Sequence, residues 1–254
     1  MEKINGINIG RIVVKEGRSF QVLKDLSLSV RKGEIACILG PSGCGKSTLL
    51  RIMGGFDLPE VGSLKKDGKE VTKPSPDAIL MFQDFNQLFP WKTVIENVIY
   101  PLQVNGAGGT RKEREATAIR YLNMAGLKDS FHSYPYQLSG GMKQKAALAR
   151  ALVLRPSVLL MDEPFGSLDA LTRRGLQALL EDIWRETGVT IIFVTHDVQE
   201  AIILGDRIII MDKDPGRILM EVPNGLERPR DIGSPGFTEL YERVYSMLHK
   251  GSNQ

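Results

Sequence analysis

Apolar and polar positions change rhythm along the chain. Residues 1–33 carry short runs of β character, Ile7 to Val14 and Phe20 to Val30, punctuated by Gly10, Gly17 and Gly33, and predict an antiparallel sheet. Ile35-Ala36-Cys37-Ile38-Leu39 is wholly apolar and has the length of a buried strand. Ser47 to Met53 lacks Gly and Pro and reads as a helix closed by Gly54-Gly55. Pro59, Gly62, the hairpin pair Asp67-Gly68, Pro74 and Pro76 continue the β style, and Ala78 to Phe82 is a second buried-strand candidate ending at Gln83. From about residue 84 to 155 the periods become helical. Thr93 to Val104 is apolar with breaks, and Gly106 to Gly109 is a spacer. Thr110-Arg111-Lys112-Glu113 is a capping box opening a helix to about Ala125. After Leu138-Ser139-Gly140-Gly141, a helix from Met142 to Leu154 stops before Pro156. Strands and helices then alternate: Val158 to Met161, a helix Thr172 to Glu186 stopped by Gly188, Val189 to Val194, a short helix to Leu204, and Arg207 to Met211. The tail from Asp212 is rich in turn residues until Ser234-Pro235, where Phe237, Leu240, Tyr241, Val244, Met247 and Leu248 recur at helical spacing. That helix reads either as one docked on its own core or as one that binds a partner.

Alternating strands and helices predict an α/β fold with a mostly parallel sheet, whose ligands sit at the carboxyl ends of the strands. Gly40, Gln83, Asp162 and His196 all stand at such ends. The expected division is a nucleotide-binding core with an antiparallel β-subdomain over residues 1–83 and 156–212, an inserted helical part over 84–155, and a tail over 213–254.

Composition narrows the class. With 254 residues, 42% hydrophobic and 25% charged, the chain is of ordinary globular type. A net charge of +3, with Lys and Arg interleaved among Asp and Glu, lacks the basic stripe of a nucleic-acid binder. Cys37 and Cys44 make no disulfide framework, which suits a reducing setting. Neither a secretory leader nor an apolar run of membrane-spanning length is found, so work at a membrane implies another chain to hold the protein there.

The chemistry gathers on a few stretches. Gly40-Pro41-Ser42-Gly43-Cys44-Gly45-Lys46-Ser47-Thr48 fits the phosphate-loop pattern G-x-x-x-x-G-K-[ST], between a strand and a helix. Glycines let backbone N–H groups wrap the phosphates at the positive end of the helix dipole. Lys46 reaches the β- and γ-phosphates, and the Ser47 hydroxyl ligates Mg²⁺. Asp162 is placed to hold the same Mg²⁺, and Glu163 to orient and deprotonate an attacking water. His196 reads either as a satisfied core histidine or as a donor to the γ-phosphate. Ser139-Gly140-Gly141 opens a helix and reads either as a plain N-cap or as a second anion-binding N-terminus that completes a partner's site.

Together these motifs resemble the nucleotide-binding subunits of ATP-binding cassette (ABC) transporters. In order stand the Walker A loop Gly40 to Thr48, the Q-loop Gln83, the signature Leu138 to Met142, the Walker B strand Val158 to Asp162 with Glu163, the D-loop Ser167-Leu168-Asp169, and the switch His196. The resemblance implies a P-loop NTPase (RecA-like) core, an antiparallel β-subdomain and an inserted helical subdomain. It also implies a Mg-dependent ATPase forming a head-to-tail dimer of two copies around two ATP. Lys46, Gln83 and His196 hold the γ-phosphate, Ser47, Gln83 and Asp162 the metal, and Ser139, Gly140, Gly141 and Asp169 complete the site. A transmembrane permease at the cytoplasmic face of the inner membrane, and indirectly a substrate-binding protein, are the implied partners.

Gln87-Leu88-Phe89-Pro90-Trp91, Glu96-Asn97-Val98, Pro215-Gly216-Arg217-Ile218 and Arg228-Pro229-Arg230-Asp231 are similar to the nitrate/sulfonate/taurine group of importers, which implies a small anionic or organic nitrogen or sulfur solute. Two departures stand out. Lys145 takes a place usually held by Arg, and Lys15 to Ser19 hold no aromatic to stack on adenine, which leaves Phe20 as the candidate.

Overall fold

The computed structural model describes residues 2–15, 18–82, 87–166, 168–213 and 215–250. They gather into two compact units, Met1–Ser75 with Leu160–Glu163 and Val189–Gln254, and Pro76–Leu159 with Pro164–Gly188.

The first unit holds an antiparallel sheet and most of a parallel one. β1 (Glu2–Lys15), β2 (Arg18–Arg31), β4 (Val61–Lys66) and β5 (Lys69–Glu70) lie in the order β2-β1-β4-β5. Lys66 pairs with Lys69 across Asp67 and Gly68, both at positive φ (49° and 76°). That is the primed two-residue turn whose twist matches the strands, and it explains the Asp-Gly pair. The other sheet carries β3 (Ile35–Leu39), β7 (Val158–Asp162), β8 (Thr190–Thr195), β9 (Arg207–Asp212) and β10 (Arg217–Pro223) in the order β10-β9-β3-β8-β7. β3 runs parallel to both β8 and β9, and all of it is buried, as a strand covered on both faces must be. α1 (Lys46–Met53) follows β3, α6 (Val198–Leu204) packs on β3 and β8, and α7 (Pro235–Lys250) packs on α6 and β9.

Two features differ from the sequence reading. β1 and β2 run longer than their apolar runs, because paired backbone carries them through polar residues and through irregularities at Gly6/Ile9 and Ile9/Arg11. β10 is a strand within a segment that reads as turns. Its Gly216 and Pro223 mark its ends, and it lies antiparallel at a sheet edge, where Pro is tolerated.

The second unit is mainly helical. After β6 (Ala78–Met81), whose neighbour in strand order is β7, come α2 (Val94–Val104), α3 (Arg111–Met124), α4 (Gly140–Leu152) and α5 (Ala170–Thr187). Thr93 and Thr110 head α2 and α3 in full capping boxes with Glu96 and Glu113. Gly188, at φ 65°, ends α5. Asn97 is fully buried, and its amide ties the segment before α2 to the helix. Its Oδ1 accepts from Phe89 N at 2.8 Å, and its Nδ2 faces the carbonyls of Phe89, Lys92 and Thr93 at 3.2, 3.1 and 3.0 Å.

Asn97→Ala removes the partner of the half-buried Phe89 N–H and of three carbonyls at once. It should cost about 2 kcal/mol or more of stability by urea unfolding; a change within about 0.5 kcal/mol, the range of a surface substitution, would contradict this role.

Candidate active site at the phosphate loop

The loop from Gly40 to Thr48 leaves the buried end of β3 and turns into α1. Gly43 and Gly45 stand at φ 82° and 94°, a region that side chains disfavour. Lys46 is the first residue of α1, and only 5% of it is exposed. Its ammonium donates to the carbonyls of Gly40 at 2.7 Å and Pro41 at 3.0 Å and lies 3.6 Å from Glu163 Oε1. Ser42, Gly43 and Ser47 are exposed, while Pro41, Gly45 and Thr48 are half-buried.

The segment before β10 braces the loop from beneath. Gly216 N donates to Val22 O at 2.9 Å, and Lys24 N to Gly216 O at 3.0 Å. A Cβ on Gly216 would lie 2.1 Å from the carbonyl oxygen of Cys44, so only glycine fits there. Gly216 thus supports the phosphate loop. Cys44 is buried, and desolvation pushes its thiol pKa up against the opposing pull of Lys46. Burial raises the Cys37 thiol as well, so both cysteines are protonated, unreactive groups at neutral pH.

The ends of β7 and β8 supply the rest. The Asp162 carboxylate accepts a hydrogen bond from the Ser47 side chain. Burial is the largest influence on its pKa, which lies above the ordinary value. A hydroxyl beside a carboxylate is a pair of hard oxygen donors, the kind Mg²⁺ takes. Glu163 sits at φ 43°, an unusual backbone for a non-glycine residue, and its N–H donates to Val194 O at 3.0 Å. Its Oε2 accepts from Nδ1 of His196 at 2.9 Å, so one carboxylate faces both Lys46 and His196. His196 is half exposed and follows β8 directly. Asp197 caps α6 through the N–H groups of Gln199 and Glu200 at 2.8 and 3.2 Å, and Thr195 Oγ1 donates to the buried Glu200 at 2.7 Å. The sequence reading gave Thr195 and Glu200 no role. A buried carboxylate four residues after a histidine at a strand end was the available signal.

The structure therefore brings Lys46, Ser47, Asp162, Glu163 and His196 together in the first unit. Ser139, Gly140, Gly141 and Asp169 belong to the second. Ser139 is exposed and caps α4, accepting from Met142 N at 3.3 Å; Gly140 is exposed, and Gly141 packs where a Cβ would meet Thr172 of α5 at 2.5 Å. Asp169 is exposed and caps α5 through the N–H groups of Leu171 and Thr172 at 3.1 and 3.0 Å. Gln83 and Ser167 lie outside the described residues, as do the side chains of residues 13–18; Phe20 is 51% exposed.

The model of one protein family, described as "ABC transporter", matches residues 23–166. The chain belongs to the ABC transporter family. It is 43% identical over 244 residues to the aliphatic sulfonates import ATP-binding protein SsuB of Bacillus cereus, covering 96% of this chain and 94% of that one. It is 42% identical over 248 residues to the bicarbonate transport ATP-binding protein CmpD of Synechocystis sp., covering 95% and 87%. Among solved structures it is similar to the ATP-binding cassette MJ0796, a dimer in a post-hydrolysis state bound to ADP and Pi, with a TM-score of 0.75 and 32% identity over 90% of this chain and 99% of that one. The fold is that of an ABC cassette, a P-loop NTPase with an α/β core, as the motifs implied. Among the described residues of the cassette, no helix is long and apolar enough to cross a membrane.

Gly216→Ala forces the phosphate loop or the β10 segment to shift. It should lower stability by about 1–3 kcal/mol, the usual range for overpacking, and weaken ATP binding at the same time. Unchanged melting and unchanged ATP affinity together would refute the brace.

Proposed function

We propose that this cassette binds and hydrolyses ATP and thereby powers import of a small solute through a separate membrane permease. The observation that carries the ATPase reading is the convergence of Lys46, Glu163 and His196 on the mouth of the phosphate loop, with Ser47 and Asp162 alongside. The loop's N–H groups and the N-terminus of α1 bind the phosphates, and Lys46 exchanges the carbonyls of Gly40 and Pro41 for phosphate oxygens. His196, fixed through Nδ1 by Glu163, presents its other ring nitrogen toward the γ-phosphate. Glu163 takes the proton from the attacking water, which forms a bond to the γ-phosphorus as the bond to the β–γ bridging oxygen breaks, leaving ADP and phosphate. Ser47 and Asp162, with Gln83, would hold Mg²⁺, which neutralises charge on the phosphate oxygens when bound.

Ser139, Gly140, Gly141 and Asp169 act in trans: two copies pair head to tail, and the exposed N-terminus of α4 in each closes the other's loop. MJ0796, described as a dimer bound to ADP and Pi, supports this arrangement. The reading of residues 84–155 as the helical subdomain that conveys closure to the permease follows from the order of the family's motifs. A position at the cytoplasmic face of the inner membrane, with a substrate-binding protein upstream, follows from the resemblance to importer ATP-binding subunits such as SsuB. The names of SsuB and CmpD support a small anionic solute, sulfonate-like or bicarbonate-like, without choosing between them.

Glu163→Gln keeps the contact with His196 but removes the base. ATP binding should persist, turnover should fall at least about a hundredfold, and an ATP-dependent dimer should accumulate on size exclusion; an unchanged hydrolysis rate would remove Glu163 from this role. For the transport reading, the tagged protein drawn from native membranes in mild detergent should bring a multi-span permease with it, and ribosomal or DNA-repair proteins in its place would overturn import while leaving the ATPase standing.

A further inference from the structure

The segment after β10 closes over the end of α6. A helix leaves its last carbonyls without partners inside the helix, and one as short as α6 has little stability of its own. Here side chains of the tail meet the carbonyls from Ile202 to Gly205. Asn224 Nδ2 donates to Ile202 O at 2.8 Å and Gly205 O at 2.9 Å. Arg230 Nη1 donates to Ile202 O and Ile203 O, both at 2.8 Å, while its Nε holds Leu226 O at 3.2 Å. Arg228 Nη2 donates to Leu204 O and, at 2.7 Å, to Asp206 Oδ1. The other Asp206 oxygen accepts from Ile35 N at 2.8 Å, so the same carboxylate ties this cluster to the start of β3, the strand that leads into the phosphate loop. The Arg230 side chain is 2% exposed, far beyond what a solubilising surface arginine requires. Two guanidinium groups also face the negative end of the α6 dipole.

At the opposite end of α6 stands His196. The helix is pinned at its start by the Asp197 cap and the Thr195–Glu200 hydrogen bond, and at its finish by the tail. We infer that Asn224, Arg228 and Arg230 are positioning residues for His196: by fixing where α6 ends, they fix its N-cap Asp197 and with it the adjacent residue, His196, whose imidazole meets Glu163. This rests on the reading of His196 as the γ-phosphate contact. It gives the Arg228-Pro229-Arg230 stretch, which the hydrolytic site does not touch, a part in hydrolysis.

The test compares Arg230→Ala and Arg228→Ala in the full chain, each with and without His196→Ala. Without nucleotide, the α6 amides should exchange with solvent faster in the arginine variants. The kcat for ATP should fall about tenfold, in keeping with the cost of displacing a reacting group by a fraction of an ångström. ATP affinity from direct titration should stay within about twofold, because the phosphate loop is intact. In the His196→Ala background, where residual hydrolysis of radiolabelled ATP is followed, the arginine substitutions should add nothing, since both act through one group. An equal loss in both backgrounds, or faster α6 exchange with unchanged kcat, would make the clamp a purely structural one. Arg228→Ala leaves the Asn224 and Arg230 bonds in place and decides the matter if Arg230→Ala does not fold. Full turnover in His196→Ala alone would instead overturn the role given to His196, and α6 exchange would still report whether the clamp holds the helix.

Discussion

The ammonium of Lys46 is the constraint on which the site depends. A charge that is almost wholly out of water is tolerated only when oxygens surround it. Here two come from the loop that precedes it and one from the residue after β7. The loop oxygens are available because Gly43 and Gly45 let the backbone fold over the head of α1. The carboxylate is available because β7 ends level with the loop, held there through Val194 of β8. Parallel strands do this naturally: their carboxyl ends share one edge of the sheet, so residues far apart in sequence meet without any long excursion of the chain.

The same oxygens set up the chemistry. Glu163 divides its two carboxylate oxygens between Lys46 and His196, so the group read as the base is oriented from both sides. Asp162, the last residue of β7, turns to Ser47 instead. Adjacent carboxylates thus face different partners, because the chain leaves the extended conformation at Glu163.

Much of this was legible in the sequence, because short-range rules govern it. The phosphate loop with its flanking strand and helix, the capping box at Thr110, the Asp67-Gly68 turn, and the strands before Asp162 and His196 all follow from local spacing. What escaped depends on contacts between distant residues. Asn97 is polar in an apolar helix, and nothing nearby in sequence says that it bonds the carbonyls of Phe89 and Lys92. β10 carries turn residues at its ends, and its strand character comes from pairing with β9. Arg228 and Arg230 stand in the sequence only as part of a stretch shared with one group of importers, and their bonds to the end of α6 appear only in the fold. Ser139 and Asp169 are a different case. Both cap helices within their own chain, and the part proposed for them at a nucleotide depends on a second copy.

The left-handed backbone at Glu163 carries a consequence for how such a protein can be improved. An L-residue with a long side chain held at φ 43° costs about 1 kcal/mol that glycine or asparagine would largely avoid. Local preference and chemistry therefore pull in opposite directions at this one position. Relief of that backbone cost by another residue would also take a carboxylate away from the buried Lys46 ammonium, so a search for heat resistance alone finds no free gain at Glu163.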